Sequence, residues 1–281
     1  MQNLYEVNQR KIGGVNMVRK LEEKDRKDVL EFLNEEPAIN LFLIGDIETN
    51  GFEEEFQTLW GQYTEEGILE GVLLRYYKNF IPYFVKPNFD ITEFSKIILS
   101  KHDDIMISGK ESILRRFEGI LPKHKSDTFY FCELRSLNEL SPNECNSNTI
   151  KIAQVCDAER VYDFMNNIAE FEDFNATVDI IKQKIKTKSG RIYYIENEDG
   201  LMVSSVQTTA ENSKSAMVVG VATLKEYRNK GLMSQCLAKL CLDIVNEGKG
   251  LCLFYDNPKA GSIYHKFGFK TIDSWMVIKI D

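Results

Sequence analysis

The 281-residue sequence lacks several features that would place it in common classes of protein. It has no apolar stretch long enough to span a bilayer and no apolar signal-peptide core near its start, so we expect neither a membrane nor a secreted protein. Its six cysteines contain no Cys-x-x-Cys pair, and its three histidines are scattered singly, which argues against a metal site. We expect reduced cysteines and a cytoplasmic location.

A basic stripe of the kind that binds nucleic acid is also missing. The formal net charge is −8, and the surplus lies in the first half, because residues 146–281 carry 17 basic and 17 acidic residues. We therefore expect no nucleic-acid partner. Such a surface could attract cationic amines, although solvated carboxylates that aid solubility are the better explanation of the surplus.

The most informative stretch is an apolar run that leads into a polar turn and the start of an amphipathic helix. Residues 218–224 form the run, an Arg-x-x-Gly turn extends from Arg228 to Gly231, and the helix follows at once. Unpaired N–H groups and aligned peptide dipoles at a helix N-terminus favour a bound anion. Gly231 lets the backbone approach a phosphate, and Lys225, Arg228 and Lys230 add positive charge. This turn predicts a diphosphate site.

A second motif lies downstream. The apolar run at 251–255 predicts a buried strand, and the following Asp-Asn-Pro is typical of a helix start with proline in the first turn. The predicted helix ends at Gly268, and a last strand begins at Phe269. From Asn257 to Phe269 the sequence is Asn-Pro-x-Ala-x-x-x-Tyr-x-x-x-Gly-Phe.

In this order and at this distance, the two motifs resemble those of the GNAT acetyltransferase superfamily. The first is similar to the family's coenzyme A pyrophosphate loop, Gln/Arg-x-x-Gly-x-Gly/Ala, with Met233 where the family prefers Gly or Ala. The second matches the other family signature in full. The resemblance implies that acetyl-coenzyme A is the co-substrate, that Asn257 contacts its pantetheine arm, and that the Tyr264 hydroxyl protonates the departing thiolate.

The resemblance also implies the remaining contacts with the co-substrate. A splayed strand would present the backbone groups of Val219 and Val221 to the thioester carbonyl and the pantetheine, while their side chains stay in the core. Ser234 could donate its hydroxyl to the diphosphate or cap the helix. The residues expected around the diphosphate are Arg228, Asn229, Lys230, Gly231, Leu232, Met233 and Ser234.

The sequence assigns no general base, since no glutamate lies on the strand before the loop. Glu170 and Glu172 follow the first helix of the second half, where acceptors usually dock in this family, but both could equally face solvent. A water chain, or an acceptor that arrives deprotonated, would need no side chain.

The chain is expected to contain two similar halves. A shift of 132 positions pairs Asp25 with Asp157 and Phe32 with Phe164, and each copy has a short strand, a connector, an Asp suited to N-capping and a helix. The predicted division is a leader at 1–16, a GNAT-like domain at 17–136, a linker at 137–148 and a catalytic domain at 149–281.

The halves differ where chemistry would take place. Leu114 aligns with Tyr264 and cannot give up a proton, and only the four residues 86–89 separate a strand from the next helix in the first half. Pro87 in that connection removes an N–H group that an anion site would use. Only the second half is expected to be catalytic. The first could form a wall of the acceptor cleft, a structural partner or a homodimer surface.

The predicted fold class is α+β (α/β), with two GNAT-like domains that each contain a mixed, mostly antiparallel sheet flanked by helices. The C-terminal domain is complete, and its sheet splays between the fourth and fifth strands. The expected function is acetyl-coenzyme A-dependent N-acetyl transfer to a small-molecule or protein amine, directly within a ternary complex and without a metal.

Two alternatives were weighed against this function. A non-catalytic acyl-coenzyme A sensor is disfavoured by Asn257 and Tyr264, since a sensor needs the loop but not the acid. A tandem-GNAT aminoacyl transferase that uses charged transfer RNA is disfavoured by the intact coenzyme A loop and the acidic charge balance.

Overall fold

The computed structural model describes residues 17–100, 104–137, 149–169 and 176–280. Within these ranges the chain forms twelve strands and eight α-helices, and the order β–α–α–β–β–β–α–β–α–β occurs twice. The predicted leader at 1–16 lies outside the described residues, as does the predicted linker apart from Leu137. Among the described helices, none combines the length and apolar character needed to cross a membrane.

The first half supplies six strands and four helices. Its strands are β1 (Met17–Lys20), β2 (Gln57–Tyr63), β3 (Leu69–Tyr76), β4 (Asn79–Phe84), β5 (Ile105–Lys110) and β6 (His124–Leu134). Its helices are α1 (Arg26–Leu33), α2 (Leu41–Asn50), α3 (Thr92–Leu99) and α4 (Glu111–Glu118).

The second half repeats this set close to the predicted bounds. Its strands are β7 (Ile150–Ile152), β8 (Ile192–Glu196), β9 (Met202–Thr209), β10 (Ser215–Thr223), β11 (Gly250–Tyr255) and β12 (Lys270–Ile280). Its helices are α5 (Ala158–Asn166), α6 (Val178–Thr187), α7 (Leu232–Asn246) and α8 (Pro258–Lys266).

The paired aspartates before α1 and α5 occupy equivalent positions, but the predicted N-cap bond to the helix is wrong. Asp25 accepts a hydrogen bond from the backbone N–H of Glu22 at 2.9 Å, and Asp157 accepts one from that of Gln154 at 2.8 Å. Each carboxylate therefore closes the 3₁₀ turn that precedes its helix rather than capping the helix itself, because that turn brings the upstream N–H within its reach.

All twelve strands belong to one sheet, and the two halves exchange their last strands. The strand order is β1-β2-β3-β4-β5-β12-β6-β11-β10-β9-β8-β7. Strand β6 of the first half therefore pairs with β11 of the second, and β12 of the second half pairs with β5 of the first. The two exchanged strands also pair with each other over most of their length. Each half thus depends on the other for its sheet.

The sheet splays between β10 and β11, as predicted. These two strands are parallel and pair only over Ser215–Met217 and Gly250–Cys252. Beyond that point β10 stays with β9, and a bulge between Val219 and Ala222 shifts their register. The gap that opens between β10 and β11 lies next to the predicted diphosphate turn.

Helices cover both faces of the sheet in the second half. The core under α7 and α8 includes Val218, Leu237, Leu253 and Phe267. On the other face, α5 and α6 form a separate core with Ile192 and Tyr194 of β8 and Ala222 of β10, among other residues. The aromatic and aliphatic core of the first half extends across the strand exchange to Met217, Cys252 and Trp275.

Candidate active site

The predicted diphosphate turn connects the end of β10 to α7. A 3₁₀ turn at Lys225–Tyr227 follows the strand, and Gly231 is the N-cap of α7. Gly231 has a φ of 75° and Asn229 a φ of 62°, so both residues are in the left-handed region. An L side chain at Gly231 would be strained by this backbone conformation, although the space around it is open. Glycine is therefore required for the shape of the turn.

This turn leaves a run of backbone donors without acceptors. The first hydrogen bond of α7 goes from the N–H of Gln235 to the carbonyl of Gly231, at 3.1 Å. Within the described residues, the six consecutive N–H groups from Asn229 to Ser234 have no partner among the backbone and side-chain acceptors. Such a concave set of N–H groups at the positive end of a helix dipole is suited to an anion.

Two of the predicted basic residues are held by neighbouring groups. The Nε of Arg228 donates to the carbonyl oxygen of Thr223 at 3.0 Å, which ties the turn to the end of β10. The Nζ of Lys230 lies 4.9 Å from the centroid of the Tyr227 ring in a cation–π contact. Both side chains are exposed, so their charges remain near the N–H groups.

The turn forms one end of a cleft of about 470 Å³ between α7 and α8. Its lining contains eight of the eleven predicted site residues: Val221, Arg228, Asn229, Gly231, Leu232, Met233, Ser234 and Tyr264. Six further lining residues were not among the predicted site residues: Ile168, Ala222, Thr223, Tyr227, Ala260 and Ile263. Of these, Ala260 and Ile263 belong to the apolar stripe of α8, whereas no local signal marks Ile168.

The other three predicted residues lie outside this lining, for different reasons. Val219 packs against the core of the first half on the other face of the sheet, because the bulge separates it from Val221. Lys230 turns toward Tyr227. The Oδ1 of Asn257 accepts a hydrogen bond from the N–H of Lys259 at 2.9 Å and caps α8, so only its NH₂ group could still donate to a ligand.

Tyr264 lies on α8 in the wall of the cleft. Its ring centroid is 6.1 Å from that of Phe269 and 6.2 Å from that of Tyr255. The helix approaches this closely because Gly261 has no side chain: a Cβ there would lie 2.4 Å from the Tyr255 ring. Burial raises the pKa of the Tyr264 hydroxyl, so it stays protonated at neutral pH. Tyr264 can therefore act as a proton donor.

One family model matches most of the second half of the chain. Residues 159–278 match the model described as GNAT acetyltransferase, and they contain the turn, the cleft and Tyr264. These residues are similar to the GNAT acetyltransferase family. This supports acetyl transfer to an amine in general, and the GNAT family generally uses acetyl-coenzyme A. No curated protein sequence matches the chain.

Solved structures extend the GNAT likeness to nearly the whole chain. A Drosophila protein gives a TM-score of 0.69 at 11% identity and covers 95% of this chain and 99% of that one. A GCN5-related N-acetyltransferase from Sphaerobacter thermophilus gives 0.63 at 11% identity, covering 94% and 95%. A tandem GNAT protein from the clavulanic acid biosynthesis pathway gives 0.60 at 13% identity, covering 95% and 98%. At these identities the likeness concerns the fold, and it confirms the predicted fold class.

The remaining sequence predictions for the GNAT half have mixed outcomes. Glu170 and Glu172, the two acidic residues considered near the acceptor site, lie outside the described residues. His265 is exposed, with its Nδ1 2.8 Å from the carbonyl oxygen of Phe269 and its Nε2 3.1 Å from the Tyr255 hydroxyl. The described residues contain no group of three or more His, Cys, Asp or Glu placed to hold a metal ion.

Proposed function

We propose that the chain is an N-acetyltransferase that moves the acetyl group of acetyl-coenzyme A directly to an amine within a ternary complex. The observation that carries this proposal is the run of six N–H groups at the start of α7 that find no partner in the described parts of the chain, at one end of a cleft that contains Tyr264. A diphosphate fits this run, and an acyl-pantetheine arm fits the cleft. The acceptor is a small-molecule amine or a protein amino group.

The diphosphate is bound by the N–H groups from Asn229 to Ser234, with Arg228 and Lys230 supplying positive charge. Pantetheine follows the gap between β10 and β11, where the backbone of Val219 and Val221 is free on the β11 side. The NH₂ group of Asn257 completes the contact at the start of α8. These contacts fix the thioester carbonyl beside the gap, and holding both reactants makes the transfer effectively unimolecular.

The transfer itself needs one proton donor at the sulfur. A neutral amine attacks the thioester carbonyl carbon, the C–S bond breaks, and the thiolate takes the hydroxyl proton of Tyr264. The amide nitrogen returns a proton to the tyrosinate, so Tyr264 is restored. The raised pKa of Tyr264 keeps this proton in place until the sulfur leaves.

The test is a paired measurement of binding and turnover. Isothermal titration should detect acetyl-coenzyme A binding, and release of free thiol should accelerate with at least one member of an amine panel. Tyr264→Phe should lower kcat by roughly 10–100-fold, because a thiolate is already a good leaving group. Its affinity for acetyl-coenzyme A should not change.

Tyr255→Phe is the matched control, since it removes the same atom from a neighbouring ring that lies against α8. It should retain turnover. Failure to bind acetyl-coenzyme A would refute the proposal as a whole, whereas full turnover by Tyr264→Phe would refute only the assignment of the acid.

A further inference from the structure

The gap between β10 and β11 is open on the face of the sheet that lies opposite α7 and α8. Val219 of β10 and Phe254 of β11 come after the last residue pair that joins the two strands. Both pack against the core of the first half, as does Phe42 of α2, whose ring lies 6.3 Å from that of Phe254. All three residues are nevertheless partly exposed. They border an opening, which we call the rear opening.

A side-chain amide lies against β10 where the strand has separated from β11. Gly220 follows Val219 within the bulge, and a Cβ there would lie 3.1 Å from the Cδ and Nε2 atoms of Gln207. The Gln207 side chain, which is 3% exposed, is therefore in direct contact with the bulge. Its Nε2 donates to the Sδ of Met165 at 3.1 Å, which places this amide on the side of α5 and α6.

Lys184 of α6 approaches the same amide. Its Nζ lies 3.3 Å from the Oε1 of Gln207 and donates to it. The side chain reaches this place across Gly190, where a Cβ would lie 2.9 Å from the Cδ of Lys184. The Gln207 amide therefore contacts both the Lys184 ammonium group and the backbone of β10 at Gly220.

The Lys184 ammonium group is partly withdrawn from water. Within the parts of the chain that the structure describes, Lys184 forms no ion pair, and the bond to Gln207 uses one of its three N–H donors. A positive charge that leaves water without a negative partner costs free energy, and burial accordingly lowers the pKa of Lys184. The residue is still partly exposed, so an anionic ligand can reach the two remaining donors.

The two reactants can reach the thioester from different faces of the sheet. In the proposed function, the coenzyme occupies the cleft beside α7 and α8, with Tyr264 at its sulfur. The rear opening leads to the same stretch of β10, around Val219 and Gly220, from the opposite face. An amine that enters there lies near the Lys184 ammonium group when it meets the thioester carbonyl, and it does not compete with the coenzyme for space.

We propose that the acceptor enters through the rear opening and that Lys184 binds a carboxylate group on it. The acceptor is then an amine with a carboxylate close to its nitrogen, as in an α-amino acid. This inference rests on the proposed function and gives it a substrate class. One ammonium group beside a neutral amide matches the single charge of a carboxylate. Because the Gln207 amide contacts both Lys184 and Gly220, only a few bonds separate the acceptor's carboxylate from its nitrogen.

The experiment compares amino acids with their own carboxamides as acceptors of the acetyl group from acetyl-coenzyme A. For the best amino acid, the measured quantity is the ratio of its kcat/KM to that of its carboxamide. Lys184→Met should lower this ratio by about 10–100-fold, because the amino acid loses a charge-assisted hydrogen bond and the carboxamide does not. The ratio is compared between proteins, so the different basicity of the two amines cancels.

Lys186→Met is the matched control, since it removes the same charge from an exposed position of the same helix. Its ratio should equal that of the unmodified protein. Methionine is uncharged and similar in length to the lysine stem, so Lys184→Met should fold and should bind acetyl-coenzyme A with unchanged affinity. Circular dichroism and titration calorimetry check these two properties. A merely structural role of Lys184 would lower kcat/KM for the amino acid and the carboxamide alike.

A binding measurement that needs no acetyl transfer completes the test. The carboxylic acid that lacks the amino group of the best acceptor should bind to the complex with coenzyme A, and about tenfold or more weakly to that of Lys184→Met. Equal binding, or an unchanged ratio, would overturn the role of Lys184 alone. The same holds if the unmodified protein acetylates only amines without a carboxylate. If it binds no acetyl-coenzyme A, the proposed function itself fails.

Discussion

The two halves have the same order of elements but differ where the fourth strand of each ends. In the second half, β10 leads into a turn whose six N–H groups from Asn229 to Ser234 have no partner among the residues that the structure describes, beside an open cleft. In the first half, β4 leads through residues 85–91 to α3, so the predicted connection of only four residues, 86–89, is wrong. The N–H of Phe89 there is bonded to the carbonyl of Lys86 at 3.1 Å, and its ring is stacked 4.3 Å from that of Phe84.

The first half also has a short parallel pairing between its fourth and fifth strands, but side chains fill the space beside it. Strands β4 and β5 pair in parallel over only two positions, from Asn79 to Met106 and from Phe80 to Ile107, much as β10 and β11 do. Leu114, which aligns with Tyr264, is fully buried. A Cβ at Gly109 would lie 2.8 Å from its Cδ1. The difference teaches that the same order of strands and helices can enclose either an open cleft or a packed core.

Separating the halves should have the largest effect. A chain of residues 149–281 lacks β6, so β11 loses its antiparallel neighbour and keeps only its short parallel pairing with β10, and β12 loses both β5 and β6. We expect no cooperative unfolding transition and no acetyl-coenzyme A binding, as followed by circular dichroism and titration calorimetry. Production together with residues 1–148 as a second chain should restore both.

If residues 149–281 alone were monomeric, folded and able to bind acetyl-coenzyme A, the proposed dependence of the second half on the first would be contradicted. Such a result would show that the exchanged strands are not needed for folding, and that the first half does not contribute to the stability or binding of the second.

Phe89→Ala should have the next largest effect. The side chain is 3% exposed, and it fills the place where the second half has its cleft. Its loss should lower the free energy of unfolding by about 3–5 kcal/mol in urea titrations. The affinity for acetyl-coenzyme A should stay the same at temperatures where the variant is folded. Acetyl-coenzyme A binding that changed tenfold would mean that the two halves are coupled through more than strand pairing.

The smallest effect should come from Gly231→Ala, with Gly67→Ala as its matched control. Both glycines have positive φ, 75° and 80°, and neither has an atom within 4 Å of the position of a new Cβ. The left-handed backbone should cost each variant about 1–2 kcal/mol of stability. Only Gly231→Ala should also weaken acetyl-coenzyme A binding, by about tenfold or more, because its N–H groups turn away from the diphosphate.

Equal acetyl-coenzyme A affinity in these two variants would contradict the role of the turn. The measurement is a titration of each variant with acetyl-coenzyme A at the same temperature, together with its urea unfolding curve.

The sequence was a good guide wherever a signal was local. The apolar run, the Arg-x-x-Gly turn and the Asn-Pro helix start are encoded by neighbouring residues, and the structure has β10, α7 and α8 close to the predicted bounds. The gap between β10 and β11 was predicted only through the resemblance to GNAT proteins, and the structure contains it. Even the misassigned aspartates, Asp25 and Asp157, mark equivalent turns in the two halves.

Features that depend on distant residues could not be predicted in this way. The apolar pattern of β6 and β12 determines which face of each strand is buried, but it does not determine which strand lies next to it. The strand exchange therefore could not be predicted from the sequence pattern. Helix α2 of the first half is bonded to Asn212 and Ser213 of the second, more than 160 positions away.

The exchange of β6 and β12 limits which deletions such a chain can accept during evolution. A deletion that removed β5 or β6 from the first half would also remove strands that pair with β12 and β11 of the second. Single residues of the first half can be replaced during evolution, whereas its strands have to be retained together with those of the second half.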